Sequence, residues 1–349
     1  EWNLQSDESR ILLTHESPIK NVSLRDDGKY LGLGCLDGQV LIYDLESEEV
    51  VNLQENSNNE AVWCVKFSPN NKYVGACGYS REIKLWDFET LSLYKTFAGH
   101  GVAVKWFEFT KNCSKLVSGG RDNAVKVWSL DKDRKEKTLE KHSNWVQQII
   151  FNKTQTSFFS LSQDNRIIKW RMPDLEDQIL LKEHTDYIYG IHYVKSRNFL
   201  VSNSDDGKVV VWNAQTLDKV EELVHDGGIY AMAVTPDENY VITCPDSDKL
   251  VKWSLSSFEK VQEKVSEGGI IKSILISNTG KYFMTGDLAY RVTMWDLESF
   301  EVLKIFRDHT GTVWSLAATS DEKLLFYGGN DKIIRVYDIQ QEKKVEDLH

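Results

Sequence analysis

The feature that most constrains this chain is a repeat of about 42 residues that runs through the whole sequence. A short apolar segment ending in Trp or Tyr recurs eight times, and an aliphatic residue lies three positions before each of these aromatics. The aromatics are Tyr43, Trp86, Trp128, Trp170, Trp212, Trp253, Trp295 and Tyr337. A fixed period of this length indicates a repeat architecture, in which each unit buries its apolar face against its neighbours.

Histidine follows the same period. Six of the eight His in the chain lie 28 residues before a repeat aromatic. They are His15, His100, His142, His184, His225 and His309. A His on an apolar face is usually a hydrogen-bonded core residue, and one His in each of several separate units cannot complete a single metal coordination shell. We therefore expect these His to be structural, and we expect no metal site.

Strand-length segments and tight turns alternate within each unit. Residues 72–77 and 82–86 contain many β-forming residues, and Asp27-Gly28 and Asp37-Gly38 fit the turns between such strands. Asp or Asn directly follows the repeat aromatic in five units, at Asp44, Asp87, Asn213, Asp296 and Asp338. With this Trp-Asp ending, the chain resembles the WD-repeat (Trp-Asp repeat) β-propeller family over essentially its whole length. The resemblance implies an all-β propeller of four-stranded antiparallel blades.

Eight units predict eight blades in a single propeller domain across residues 1–349. The units cover approximately residues 9–44, 49–87, 92–129, 134–171, 176–213, 218–254, 259–296 and 301–338. We expect the segment near Ile11 to supply an outer strand that closes the ring, since closure removes exposed sheet edges. The alternative is seven blades, with one end unit belonging elsewhere in a longer array. Trp2 precedes His15 by the spacing that separates Trp212 from His225, and Glu1 is not an initiator Met. One interpretation is therefore that the chain is a fragment of a longer protein.

The resemblance also implies a buried hydrogen-bonded tetrad in each well-formed repeat, which links a turn Asp, the His, a Ser and the Trp indole. Four buried polar groups that satisfy one another avoid the cost of desolvation. Three repeats match fully: His100, Ser118, Asp122 and Trp128; His142, Ser160, Asp164 and Trp170; His184, Ser202, Asp206 and Trp212. The other repeats depart from the pattern, with Asn58 and Ser80 in repeat 2, Ser247 beside His225 in repeat 6, Glu267 and Ala289 in repeat 7, and Leu33 and Tyr327 in repeats 1 and 8. We expect those blades to be looser.

Composition excludes several classes of function. The 42 Lys and Arg against 53 Asp and Glu give a net charge of −11, which argues against nucleic-acid binding because phosphate contacts need a basic surface. The sequence contains no apolar run of membrane-spanning length and no signal-peptide pattern. Its five Cys include no CxxC pair, which favours a reducing, intracellular compartment, cytoplasmic or otherwise. Nucleotide-binding, metalloprotease and nucleophile-elbow motifs are also missing, so we expect no enzyme activity and no cofactor.

The candidate interaction surface is the channel mouth that the resemblance implies. In the first strand of each unit, the residue four positions after the His position is apolar. Its two neighbours are expected to face the other way, since strand side chains alternate. These neighbours, together with the residue before each turn Asp position, supply the candidate partner-binding residues Trp63, Tyr79, Lys105, Arg121, Trp145, Tyr187, Tyr189, Asp205, Tyr230, Asp246 and Trp314.

This face is predicted to be polarised. Blades 5 and 6 combine three Tyr with Asp205 and Asp246, whereas blades 1 and 3 offer Lys20, Lys105 and Arg121. Aromatic clusters of this kind mark interaction hot spots. The sequence therefore favours a non-catalytic scaffold that binds one or more proteins or peptides, including partners with basic segments. The alternatives are a module that recognises a basic or modified Lys or Arg side chain in an aromatic–acidic cage, and an enzyme or small-ligand binder that uses the channel.

Overall fold

The computed structural model describes residues 10–53, 60–131, 135–175, 178–266, 268–319 and 321–339. These residues form eight four-stranded antiparallel sheets arranged as the blades of a ring, and they contain no helix. The predicted eight-bladed β-propeller is therefore confirmed. Among the described residues, no helix is long and apolar enough to cross a membrane. Trp2, whose spacing from His15 supports the fragment interpretation, lies outside the described residues.

The strands are numbered along the chain, and the first, β1 (Arg10–Thr14), belongs to the last blade. Blade 1 contains β2 (Ile19–Leu24), β3 (Tyr30–Cys35), β4 (Val40–Asp44) and β5 (Val50–Asn52). Blade 2 contains β6 (Val62–Phe67), β7 (Tyr73–Gly78), β8 (Glu82–Asp87) and β9 (Leu93–Ala98). Blade 3 contains β10 (Val104–Phe109), β11 (Lys115–Gly120), β12 (Val125–Ser129) and β13 (Lys135–Leu139). Blade 4 contains β14 (Val146–Phe151), β15 (Ser157–Ser162), β16 (Ile167–Arg171) and β17 (Gln178–Leu181).

The second half of the ring has the same order. Blade 5 contains β18 (Ile188–Val194), β19 (Phe199–Ser204), β20 (Lys208–Asn213) and β21 (Lys219–Val224). Blade 6 contains β22 (Ile229–Val234), β23 (Tyr240–Pro245), β24 (Lys249–Ser254) and β25 (Lys260–Val265). Blade 7 contains β26 (Ile271–Ile276), β27 (Tyr282–Asp287), β28 (Val292–Asp296) and β29 (Val302–Phe306). Blade 8 contains β30 (Val313–Ala318), β31 (Leu324–Gly329), β32 (Ile333–Asp338) and β1.

The ring closes through the N-terminal strand, as the sequence predicts. β1 pairs antiparallel with β32, with Arg10 opposite Val336 and Thr14 opposite Ile333. The backbone N–H of His15 extends this pairing by donating to the carbonyl of Lys332 at 2.9 Å. Blade 8 is therefore built from both ends of the described chain. β1 supplies its fourth, outermost strand and pairs with β32, as the fourth strand pairs with the third in every other blade.

The core lies between neighbouring blades. Leu85 of blade 2 packs in one buried cluster with Phe107 and Trp128 of blade 3, and similar clusters recur around the ring. Apolar residues recur on both faces of the middle strands because both faces are covered, whereas the outer strand β9 is largely exposed. Burial between blades is therefore what holds the ring together. In this arrangement, the first strand of each blade faces the central channel.

Candidate functional site

One backbone hydrogen bond recurs in all eight blades and builds the mouth of the channel. The N–H of the residue just after each second strand donates to the carbonyl of the residue just before the first strand. The donor–acceptor pairs are Leu36–Pro18, Tyr79–Ala61, Arg121–Ala103, Gln163–Trp145, Asp205–Tyr187, Asp246–Gly228, Leu288–Ile270 and Asn330–Thr312. In every blade, this bond places the residue before the turn Asp position beside the residue before the first strand. The sequence analysis predicts that both residues lie at the mouth.

A β-bulge at the start of every first strand supplies a second layer of residues that line the channel. The strand register shifts at the second residue of each first strand, which inserts one extra residue at the channel wall. These eight bulge residues, termed the channel ring, are Lys20, Trp63, Lys105, Gln147, Tyr189, Tyr230, Lys272 and Trp314. The bulge lets a ring residue and its successor, such as Lys20 and Asn21, line the same cavity, whereas the apolar residue before them, Ile19, is fully buried. That cavity has a volume of about 470 Å³ and is lined by all eight first strands.

Arg121 is the centre of the basic half of the mouth. Its guanidinium carbon lies 4.4 Å from the ring centroid of Trp63, 5.3 Å from that of Tyr79 and 4.0 Å from that of Trp145. The Nη1 group donates to the Tyr79 hydroxyl at 3.2 Å, and Trp63 and Tyr79 pack edge to face at 4.5 Å. The structure thus brings together predicted mouth residues from blades 2, 3 and 4. Aromatic faces attract a cation, so the guanidinium is oriented without a carboxylate.

Two lysines of the channel ring add positive charge to this half. The ammonium of Lys105 lies 4.7 Å from the Trp63 ring centroid, and that of Lys20 lies 3.5 Å from the Trp314 ring centroid. The Trp314 indole donates to the Asn330 side chain at 2.8 Å, which holds the ring in place. Burial, followed by the charge of Lys105, lowers the pKa of Lys20 to about 8. Burial and the charge of Arg121 likewise lower the pKa of Lys105.

The acidic half of the mouth contains an internal cation that the sequence analysis did not single out. The Tyr189 and Tyr230 rings lie 4.9 Å apart, and the ammonium of Lys272 lies 3.2 Å from the Tyr230 ring centroid. Burial lowers the pKa of Lys272, whereas the nearby Asp246 and Asp205 act in the opposite direction. The available signal was its position, since Lys272 is the blade 7 equivalent of Lys20 and Lys105.

Asp205 and Tyr187 differ in their surroundings. Burial raises the pKa of Asp205, and the nearby carboxylates of Asp186 and Asp246 add to the rise. The neighbouring Tyr189 side chain opposes that rise in the pKa of Asp205. Tyr187, in contrast, is 43% exposed and makes no ring contact with Tyr189 or Tyr230 in the described part of the chain. Among the described residues, ring contact therefore joins Tyr189 and Tyr230 but does not include Tyr187.

Three buried networks join the residues assigned to the tetrads. In blade 3, His100 contacts the Asp122 carboxylate through Nδ1 at 2.8 Å and the Ser118 hydroxyl through Nε2 at 2.8 Å, while the Trp128 indole donates to that hydroxyl at 2.8 Å. Blades 4 and 5 repeat these contacts with His142, Ser160, Asp164 and Trp170, and with His184, Ser202, Asp206 and Trp212. These side chains lie between strands, away from the channel cavity, so the geometry gives them a structural role.

Blade 1 contains a variant of this network. His15 contacts Asp37 through Nε2 at 2.9 Å, and the ligand atoms of His15, Cys35 and Asp37 all lie within 4.8 Å of one another. Burial, followed by the charge of Asp37, raises the pKa of the Cys35 thiol to about 12. Since the thiolate is the form that binds metals, this group favours a hydrogen-bonded pair beside a neutral thiol.

Comparison with known proteins gives a consistent family and fold. The family model described as WD domain, G-beta repeat, matches residues 48–87, 91–129, 176–213, 218–253 and 300–338. Transducin beta-like protein 2 from Mus musculus is 27% identical over 114 residues, covering 30% of this chain and 25% of that protein. The WD repeat-containing protein WDS homolog from Arabidopsis thaliana is 28% identical over 120 residues, covering 33% and 23%. Pre-mRNA-processing factor 17 from Homo sapiens is 28% identical over 104 residues, covering 29% and 18%.

The matched segments therefore span about a quarter or less of these relatives' own length. Among solved structures, the crystal structure of the computationally designed Ika8 protein superposes with a TM-score of 0.81. It is 19% identical, and the match covers 94% of this chain and 98% of that chain. At this identity the likeness shows the fold alone.

Proposed function

Because the chain belongs to the WD-repeat family, we propose that it is a non-catalytic scaffold that binds a protein or peptide through the channel mouth. The observation that carries the proposal is the eightfold backbone hydrogen bond, which presents side chains from every blade on one face. Tyr79, Tyr187 and Tyr189 are exposed there by 48%, 43% and 38%. Exposed aromatics at the centre of one face are typical of interaction hot spots.

The rigidity of this face supports binding. Its side chains project from bulges and turns that the sheet hydrogen bonds already hold, so little conformational freedom is lost when a partner docks.

We propose that the site is used inside the cell, since all five cysteines are buried free thiols and show no disulfide framework.

A second candidate is recognition of a Lys or Arg side chain from the partner. It is favoured by the pair of Tyr189 and Tyr230, which lies beside Asp205 and Asp246. Lys272 already lies against this pair, so the surroundings suit an ammonium group. A partner side chain would have to displace Lys272 from the Tyr230 ring.

The test of the scaffold proposal compares partner capture by three forms of the protein. Tyr189→Ala with Asp205→Ala removes one mouth contact pair, and Tyr94→Ala with Glu89→Ala makes an equivalent change on the exposed outer side of blade 2. Affinity purification with mass spectrometry should show partners that the wild type and the outer-side variant retain but the mouth variant loses. Each form must show an unchanged melting curve. Equal capture by all three forms would contradict binding at this part of the mouth.

A further inference from the structure

The basic half of the mouth holds three cations that lack a counter-ion. In the described part of the chain, Lys20, Lys105 and Arg121 form no ion pair with a carboxylate. The Lys105 ammonium and the Arg121 guanidinium lie 4.7 Å and 4.4 Å from the same Trp63 ring centroid. After burial, which is the main cause at both lysines, the charge of Lys105 lowers the pKa of Lys20 and the charge of Arg121 lowers that of Lys105. Such crowding of like charges is costly unless an anion relieves it.

Arg121 also has unused hydrogen-bonding capacity. Its Nε atom is buried and has no hydrogen-bond partner, and Nη1 donates to the neutral hydroxyl of Tyr79. Buried donors in proteins are normally satisfied, so this unpaired guanidinium donor indicates a missing acceptor. A guanidinium offers two parallel N–H groups that match the oxygens of a phosphate or carboxylate.

Lys272 differs from Lys20 and Lys105 in the charges that surround it. It occupies the same bulge position as Lys20 and Lys105, but Asp205 and Asp246 lie close enough to stabilise its charge. In the acidic half of the mouth, carboxylates therefore act on the lysine, whereas in the described part of the basic half none pairs with Lys20, Lys105 or Arg121. The chain carries a net charge of −11, so this uncompensated positive site runs against the charge of the whole molecule.

We propose that Lys20, Lys105 and Arg121 bind a phosphate group at the channel mouth. A phosphate monoester carries close to two negative charges and three acceptor oxygens, which suits a site with three cations better than a single carboxylate does. The surrounding indole and phenol rings limit hydration of the site and keep the cations in place. The group comes either from a phosphorylated side chain of the partner, in which case the inference rests on the proposed scaffold function, or from a small phosphate compound.

The first experiment titrates inorganic phosphate into the protein by calorimetry at constant ionic strength. The wild type should bind one phosphate saturably. Lys20→Met and Lys105→Met should each weaken binding by about tenfold or more, because each removes a charge-assisted contact. Lys272→Met is the matched control, and its affinity should stay within about threefold of wild type, since its charge is already compensated. Melting curves identify any variant that fails to fold, and the two lysine variants test the site independently.

Two results would overturn the inference. One is the lack of saturable phosphate binding by the wild type at millimolar concentrations, and the other is an equal loss of affinity in Lys272→Met. A randomised peptide pool with a fixed phosphoserine, compared with the same pool after phosphatase treatment, then distinguishes the two sources. Preferential binding of the phosphorylated pool assigns the phosphate to a partner chain, whereas binding of inorganic phosphate without that preference assigns it to a small compound. The titration needs no partner, so its failure and that of the scaffold proposal are separable.

Discussion

Blades 5 and 6 are neighbours in which the histidine at the equivalent repeat position makes different contacts. His184 uses both ring nitrogens, with Nδ1 at 2.9 Å from Asp206 and Nε2 at 2.8 Å from Ser202. His225 contacts Thr243 through Nε2 at 2.8 Å, and its Nδ1 atom is buried without a partner. Ser247 stands where blade 5 has Asp206, and its hydroxyl is also unpartnered. The fold thus tolerates half of a polar network, at a cost that neighbouring blades allow us to measure.

The pKa values of Asp206 and His225 reflect this difference between the complete network of blade 5 and the incomplete network of blade 6. Burial acts to raise the pKa of Asp206, but hydrogen bonds from His184 and the Thr185 backbone outweigh it, so the pKa lies below its ordinary value. In the part of the chain that the structure describes, no carboxylate is hydrogen-bonded to the His225 ring, and burial lowers the pKa of His225 to about 4. The complete network therefore favours an ionised Asp, whereas the incomplete one favours a neutral His.

The largest expected effect is that of Asp206→Ala, which should lower the free energy of unfolding by about 3 kcal/mol. This change leaves His184 and the backbone N–H groups of Thr185 and Lys208 without their acceptor, which is why we expect the upper end of the usual cost of an unsatisfied buried group. The matched control is Ser247→Ala in blade 6, which removes a hydroxyl with no partner. Chemical denaturation of both variants measures the difference, and equal shifts would refute the structural role of the tetrad.

The next effect is a loss of stability in acid that originates in blade 6. Between pH 6.5 and 4 the folded protein binds fewer protons at His225 than the unfolded chain does, so its free energy of unfolding falls as the pH falls through this interval. At pH 5 the loss should be about 2 kcal/mol relative to neutral pH. Comparing the pH dependence of unfolding in the wild type and in Ser247→Asp isolates this contribution. An unchanged slope in the variant would show that another group causes it.

The smallest expected effect is a gain in the free energy of unfolding. Ser247→Asp should raise the free energy of unfolding by about 1 kcal/mol at pH 7, because the new carboxylate gives His225 Nδ1 an acceptor. The flanking Asp246 and Asp248 oppose this gain through like-charge repulsion, which keeps the expected value small. Thermal unfolding measures the change. A lower melting temperature would mean that repulsion exceeds the value of the completed network.

The repeat period was sufficient to predict eight blades, and the apolar segment near Ile11 was sufficient to predict ring closure, because both depend on pattern and edge pairing alone. The contrast between blades 5 and 6 was also visible as Asp206 against Ser247. The bulge at Lys20 and its equivalents was not predictable, because a register shift depends on how two strands pair. The contact of Lys272 with Tyr230 was missed for a related reason, since it joins two blades.

The pairing of β1 with β32 has a consequence for the order of folding. Strands β2 to β29 find their partners within a few tens of residues, but Arg10 meets a strand more than 300 residues further along the chain. Bringing such distant segments together costs more loop-closure entropy than pairing within a blade. During synthesis β1 leaves the ribosome before the other strands of the propeller and has no sheet to join until β32 follows it. We therefore expect blade 8 to form last, which makes closure of the ring the step that completes the fold.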